Sequence, residues 1–218
     1  NGKLNKDLEN KLRQYVYGTI FINLNKYLFL QNNFEFDSNG WDDNHFRQGQ
    51  EVQIAGDWTG YIQHSSLTFS YNKGYLLLGK GNIYSSIFNN SLIVNQHFPP
   101  IEFIWWKHKN KKLNIDWSIN SLDPIDNINR LLILNRYAYE SDKFHLGLSE
   151  MAIVSYLDLS GDHFKYMLPT SILFETEVNG GQNFNLMWAL DFTFKYKRHT
   201  FVGEILVDDY ALDKIKDL

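Results

Sequence analysis

The chain predicts an all-β fold, an antiparallel up-and-down transmembrane β-barrel of about ten strands. Three observations predict it: a long stretch of two-residue alternation, a regular exchange of short and long connections, and a high aromatic content. The stretch is 183–196, NFNLMWALDFTFKY. Phe184, Leu186, Trp188, Leu190, Phe192, Phe194 and Tyr196 fall on one side, and the other includes Asn183, Asn185, Asp191, Thr193 and Lys195. Successive strand side chains point to opposite faces, so this is an extended strand with one oily and one wet face. At roughly 3.3 Å per residue it spans on the order of 45 Å, well beyond the usual strand of about five or six residues, and that length favours lipid as the apolar neighbour.

The remaining elements follow in order. Residues 14–24 and 26–36 read as a hairpin about Asn25. Asp37 to Gln50, with Asp42, Asp43 and Asn44 in a row, has no periodicity and reads as a long loop. A strand from Asp57 to Tyr71 turns at Asn72-Lys73-Gly74, whose Asn and Gly suit the positive φ of a tight turn, and returns as Tyr75 to Lys80. An irregular stretch from Gly81 closes at Pro99-Pro100. Ile101 to Lys107 then pairs with Lys112 to Leu122, where Leu113, Ile115, Trp117 and Ile119 alternate with Asn114, Asp116, Ser118 and Asn120. After a loop at Asp123 to Ile128, residues 129–139 and 143–154 form a hairpin about Glu140-Ser141-Asp142. A long connection, Ser155 to Gln182, leads to 183–196, and a turn at Lys197-Arg198 leads to the last strand, 199–208.

Short and long connections thus alternate, as in outer-membrane barrels, where short turns face the periplasm and long loops face outside. Both ends of the strand set fall on the long-loop side, which predicts a piece of a larger barrel. The division expected is a polar segment, 1–13, followed by a single, incomplete barrel unit, 14–218.

Composition narrows the function classes. Aromatics make up 16% of the chain, with 13 Tyr, 16 Phe and 6 Trp, as expected where rings form belts at a membrane surface. The net charge is −4 and no basic stripe accompanies the rings, so nucleic acid is not an expected partner. Without cysteine, neither a disulfide framework nor a thiolate metal site is possible. No apolar run reaches the roughly 18 residues of a membrane-crossing helix, which leaves barrels untouched. The first residues, NGKLNKDLENKLRQ, lack the layout of a secretory signal. A bacterial outer-membrane location therefore expects the signal outside this sequence.

The candidate site is a polar cluster on the wet side of the strands: Arg136, Glu150, Asp191, Glu204, Asp208 and Asp209. Paired carboxylates can serve acid–base chemistry on glycosides. Interior charges also pair with one another, and a network joining these carboxylates to Arg136, Arg130, Lys195 or Lys112 is the leading expectation, ahead of sugar or ion binding and of catalysis. Glu150 interrupts the apolar set Phe144, Leu146 and Leu148, and is expected at the interface or, through a bulge, inside. Trp105-Trp106 puts one indole on each face, for packing or an aromatic girdle. The seven histidines show no HExxH spacing and no GxSxG elbow occurs, so no metal, no cofactor and no enzymatic activity are expected. Gly79-Lys80-Gly81-Asn82 lacks the spacing of a phosphate loop and reads as a turn.

Several segments resemble the Wzi-like capsule-assembly outer-membrane proteins. These are YLLLGKGNIYSSIFNNSLIVNQHFPP at 75–100, Arg136, HLGLSEMAI at 145–153, Tyr166-Met167-Leu168-Pro169, Glu175 or Glu177, Gln182-Asn183, and FVGEILVDDYALD at 201–213. They are similar to that family's glycine-rich turn, HR pair, LGLSE strand, YLNP motif, glutamate, DN pair and YGELLIDD strand, in the same order over roughly 45–215. Asn135, Leu168 and Gln182 depart from it. The resemblance implies a large lumen-plugged barrel, about twice this length, that binds or helps assemble surface polysaccharide without catalysis. Its partners would be that polysaccharide and the outer-membrane bilayer. The other functions read from the residues are a porin-like passage for small solutes and a soluble carbohydrate-binding β-sandwich.

Overall fold

The computed structural model describes residues 14–38, 52–55, 58–83, 91–92, 100–158, 160–169, 171–173 and 184–208. Alternating segments without an internal way to satisfy their backbone groups pair edge to edge, and the pairing sorts their side chains onto two faces. The strands are β1 (Tyr15–Asn25), β2 (Leu28–Asp37), β3 (Val52–Ala55), β4 (Trp58–Tyr71), β5 (Gly74–Gly81), β6 (Ile101–Asn110), β7 (Leu113–Ile125), β8 (Ile128–Glu140), β9 (Phe144–Tyr156), β10 (Phe184–Tyr196) and β11 (His199–Asp208). They form one 11-stranded sheet in which each long strand pairs antiparallel with the next along the chain. The short β3 lies beside the start of β4, where β5 does not reach. The antiparallel up-and-down expectation holds. Closure into a barrel is not seen: the path ends at β1 and β11, which do not pair with each other.

Two local expectations are corrected. The connection placed at Asp123 to Ile128 is a two-residue turn, Asp126-Asn127, with φ of 50° and 63° at the two positions, the pattern of a type I′ hairpin. Strict short–long alternation therefore fails between β7 and β8. At the β4–β5 turn, Asn72 and Gly74 do not adopt positive φ. Gly74 is required for space: a Cβ there would lie 1.9 Å from the carbonyl oxygen of Lys107 on β6.

The two faces of the sheet differ in kind. On the outer face one row of register partners runs Ile22, Leu30, Leu67, Leu78, Ile104, Ile119, Ile133, Ala152, Leu186, apolar at each of the nine long strands from β1 to β10. Much of this face is open, with Leu148 55% exposed, whereas its chain neighbour Ser149 on the inner face is fully buried. Inner-face packing is led by Ile101, Phe103, Trp105, Leu132, Leu134 and Met151, joined by Ile83 from beyond β5. Trp105 points in and Trp106 points out, as the alternation requires.

Near the short turns the outer face becomes aromatic. The Tyr71 hydroxyl accepts a 2.8 Å bond from the Trp106 indole and lies 3.0 Å from His108 Nδ1. Phe194 stacks on Tyr196 and Phe201, and the ammonium groups of Lys112 and Lys197 lie 5.9 and 5.3 Å from the rings of Tyr139 and Tyr196.

At the opposite end the outer face is partly covered, which sequence alone does not predict. A 3-10 turn, Gly161–Lys165, and the residues after it pack Tyr166, Met167 and Leu173 onto Ile133, Ala152, Val154 and Leu186. Leu186, expected on the outside with Trp188 and Leu190, is on that face but only 8% exposed. The segment is pinned by polar groups that would otherwise stand among apolar ones. Asn135 donates to the Ser171 carbonyl at 2.9 Å, and Glu150 accepts from the Leu173 amide at 2.9 Å and from the Trp188 indole at 3.4 Å.

Candidate functional site: an inner polar cluster

The register that faces the outer row with apolar groups faces the inner side with charges. Lys107 on β6 lies opposite Asp116 on β7, and Asp116 lies opposite Arg136 on β8. Asp191 on β10 lies opposite Gly147 on β9 and Glu204 on β11. Gly147 is the key to the geometry. A Cβ there would sit 2.2 Å from Asp191 Oδ2 and 2.4 Å from Arg136 Nη2, so the missing side chain at Gly147 leaves the space in which Arg136 reaches its carboxylate across β9.

Arg136 Nη2 donates to both oxygens of Asp191, at 2.8 and 2.9 Å. Its Nη1 lies 3.9 Å from Asp116 Oδ2, and Lys107 Nζ lies 3.2 Å from Asp116 Oδ1. That second approach has the distance of an ion pair but not the direction of a hydrogen bond, since Asp116 Oδ1 has no hydrogen-bond partner among the described residues. His145 Nε2 is 3.0 Å from Asp191 Oδ1 and 3.1 Å from Arg136 Nη2. The tautomer with hydrogen on Nε2 donates to Asp191, which makes the approach to arginine a contact between two donors. The pair is deeply desolvated, Asp191 being 0% and Arg136 5% exposed. Arg136 Nε and Ser149 Oγ, both buried, are without a hydrogen-bond partner among the described residues.

Glu204 has a different set of partners. It accepts 2.7 Å bonds from the Ser91 hydroxyl and the Leu92 amide. Those two residues come from the connection between β5 and β6, six strands away along the sheet. Ser91 and Leu92 thus lie against the inner face at β11. Glu204→Gln keeps the shape but removes the charge that strengthens both bonds. Hydrogen exchange at the Leu92 amide is expected to speed up about tenfold, on the order of 1–2 kcal/mol of lost protection. An unchanged Leu92 rate would show that Glu204 does not hold this segment.

The six residues singled out from sequence are therefore not one cluster. Arg136 and Asp191 meet, with Glu204 beside them and separately engaged. Glu150 is on the outer face, pinning the covering segment. Asp208 is exposed near the end of β11, opposite Met187. Asp209 lies outside the described residues, as do Glu175, Glu177, Gln182, Asn183 and the segment 1–13. Of the cations named as partners, Arg130 donates to the Asp123 carbonyl, at 3.0 and 2.8 Å. Lys112 lies against Tyr139. Lys107, Asp116, His145 and Gly147 complete the cluster, and sequence reading did not place them there.

Comparison of the chain with protein-family models, curated proteins and solved structures finds no match. The Wzi-like resemblance accordingly rests on its motifs alone.

Proposed function

We propose that this sheet is wall from an outer-membrane β-barrel, its outer face against lipid and its inner polar cluster inside. The observation that carries the reading is the outer face itself. Its central row is apolar in each long strand it crosses, and the face is open to its surroundings at Leu78, Ile104, Leu148, Phe194 and Ile205 and rimmed by rings and lysines near the short turns. Monomeric soluble proteins rarely expose apolar surface on this scale, and aromatic girdles are the usual border of a membrane band.

The polysaccharide role is supported by the motif order only, and the place it assigns to the sugar is the inner polar strip beside Arg136 and Glu204. A structural or binding role for the carboxylates is favoured over acid–base chemistry because Asp191 and Glu204 both accept bonds from protein groups already. The test is refolding of the full chain in the presence of phosphatidylcholine vesicles, followed by flotation. Flotation that resists a high-salt wash is expected. A chain that stays monomeric and folded in detergent-free buffer, and does not float, would overturn the membrane reading.

A further inference from the structure

We propose that the outer face of β4 to β7 carries a seat for a zwitterionic phospholipid headgroup of the phosphoethanolamine type. This rests on the membrane reading and adds to it a particular lipid and a particular place. One hydrogen-bonded row across the four strands is Ser65, Lys80, Glu102, Ser121. The next row toward the short turns on the same face is Leu67, Leu78, Ile104, Ile119, entirely apolar. A polar line two hydroxyls and two opposite charges wide therefore borders hydrocarbon-facing side chains with no intermediate row.

A shallow, open depression lies across that border, lined by Ser65, Lys80, Glu102 and Ser121 and by the apolar Ile104, Ile119 and Leu131. That mixed lining suits an amphiphile with its head on the polar row and a chain over the isoleucines. The charges choose the head. Lys80 and Glu102 are directly opposite one another on neighbouring strands, where Cβ atoms lie about 5 Å apart. They form no ion pair with each other, and Lys80 Nζ lies 5.8 Å from the ring of Tyr61. A phosphate needs a cation and a primary ammonium needs an acceptor, and one short link joins the two in phosphoethanolamine. Lys80 takes the phosphate and Glu102 the ammonium, with the serine hydroxyls available to the phosphate oxygens. A purely anionic headgroup would satisfy Lys80 and be repelled by Glu102.

The experiment is native mass spectrometry of the full chain from detergent micelles doped with equimolar phosphatidylethanolamine and phosphatidylglycerol, run beside flotation with vesicles of each lipid. Retention of phosphatidylethanolamine is expected to exceed that of phosphatidylglycerol about threefold, the scale of a partly exposed ion pair. Glu102→Lys is expected to invert the ratio, and the exchange Lys80→Glu with Glu102→Lys to restore it, since a cation and an anion again face each other. Flotation with equal retention of the two lipids, or a ratio that Glu102→Lys leaves unchanged, overturns the seat while the membrane reading stands. Failure to float with either lipid overturns both.

Discussion

Asp191→Ala is expected to cost about 3–5 kcal/mol of stability, because it strands the Arg136 guanidinium in a buried site without its counter-charge. The loss is large for a structural reason. Arg136 is only 5% exposed and lies against Gly147, and its other carboxylate, Asp116, is 3.9 Å away and shared with Lys107. Replacing both partners with apolar groups of similar size, Arg136→Met with Asp191→Leu, is expected to be far milder than either single change. Gly147→Ala is expected to resemble Asp191→Ala, because the added methyl occupies the position through which the two charges meet. Urea midpoints in detergent micelles measure each of these variants. A loss below about 1 kcal/mol for Asp191→Ala, the range of an exposed pair, would show that the cluster is solvated.

Leu148→Arg is expected to cost about 2–4 kcal/mol for folding into a bilayer, the range for arginine near the middle of a membrane band. Leu148 is 55% exposed, and in water an exposed leucine of this kind is replaced within about 0.5 kcal/mol either way. The two environments thus predict results several kcal/mol apart for one substitution. Its row neighbours, Tyr137 and Leu190, carry no charge, and Glu150, two residues along on the same face, already accepts from the Leu173 amide and the Trp188 indole. Folding yield into vesicles of increasing thickness, compared with the native chain, reads out the difference. An equal yield for the two chains would place Leu148 in water.

The strands were legible where alternation was long, and illegible where it was short or interrupted. Residues 183–196 give fourteen alternating positions and became β10 almost unaltered, Phe184–Tyr196. By contrast β3, Val52–Ala55, is four residues long and follows a polar run, too little for a period to be seen. Pro124 disguised the end of β7. Proline inside a strand normally marks an edge or a bulge, and the pairing of β7 with β8 does shift register between Leu122 and Ile125. The strand continues past that irregularity to a two-residue turn. The covering segment around Tyr166 and Leu173 has no period, so nothing local announces that it packs on an apolar face.

The site was legible by face and not by register. Arg136 and Asp191 sit at wet positions of alternating strands, and that parity is written in the sequence. Which wet residues meet depends on pairings across several strands and on a missing side chain at Gly147, and neither is local. Lys107, Asp116 and His145 entered the cluster by that route. Glu150 was ambiguous because it breaks an apolar set; the structure resolves this by bringing other polar groups, the Leu173 amide and Trp188 indole, to it on the outer face.

The central claim is that alternate residues of β9 face lipid and protein interior. Nitroxide labels placed singly at 146, 148, 149 and 151 in vesicle-bound protein test it through collision with oxygen, which concentrates in lipid, and with a water-soluble nickel chelate. High oxygen and low nickel access are predicted at 146 and 148, and low access to both reagents at 149 and 151, where Ser149 and Met151 are buried on the inner face. Nickel access at 148 as high as that of a label in a short turn would contradict it.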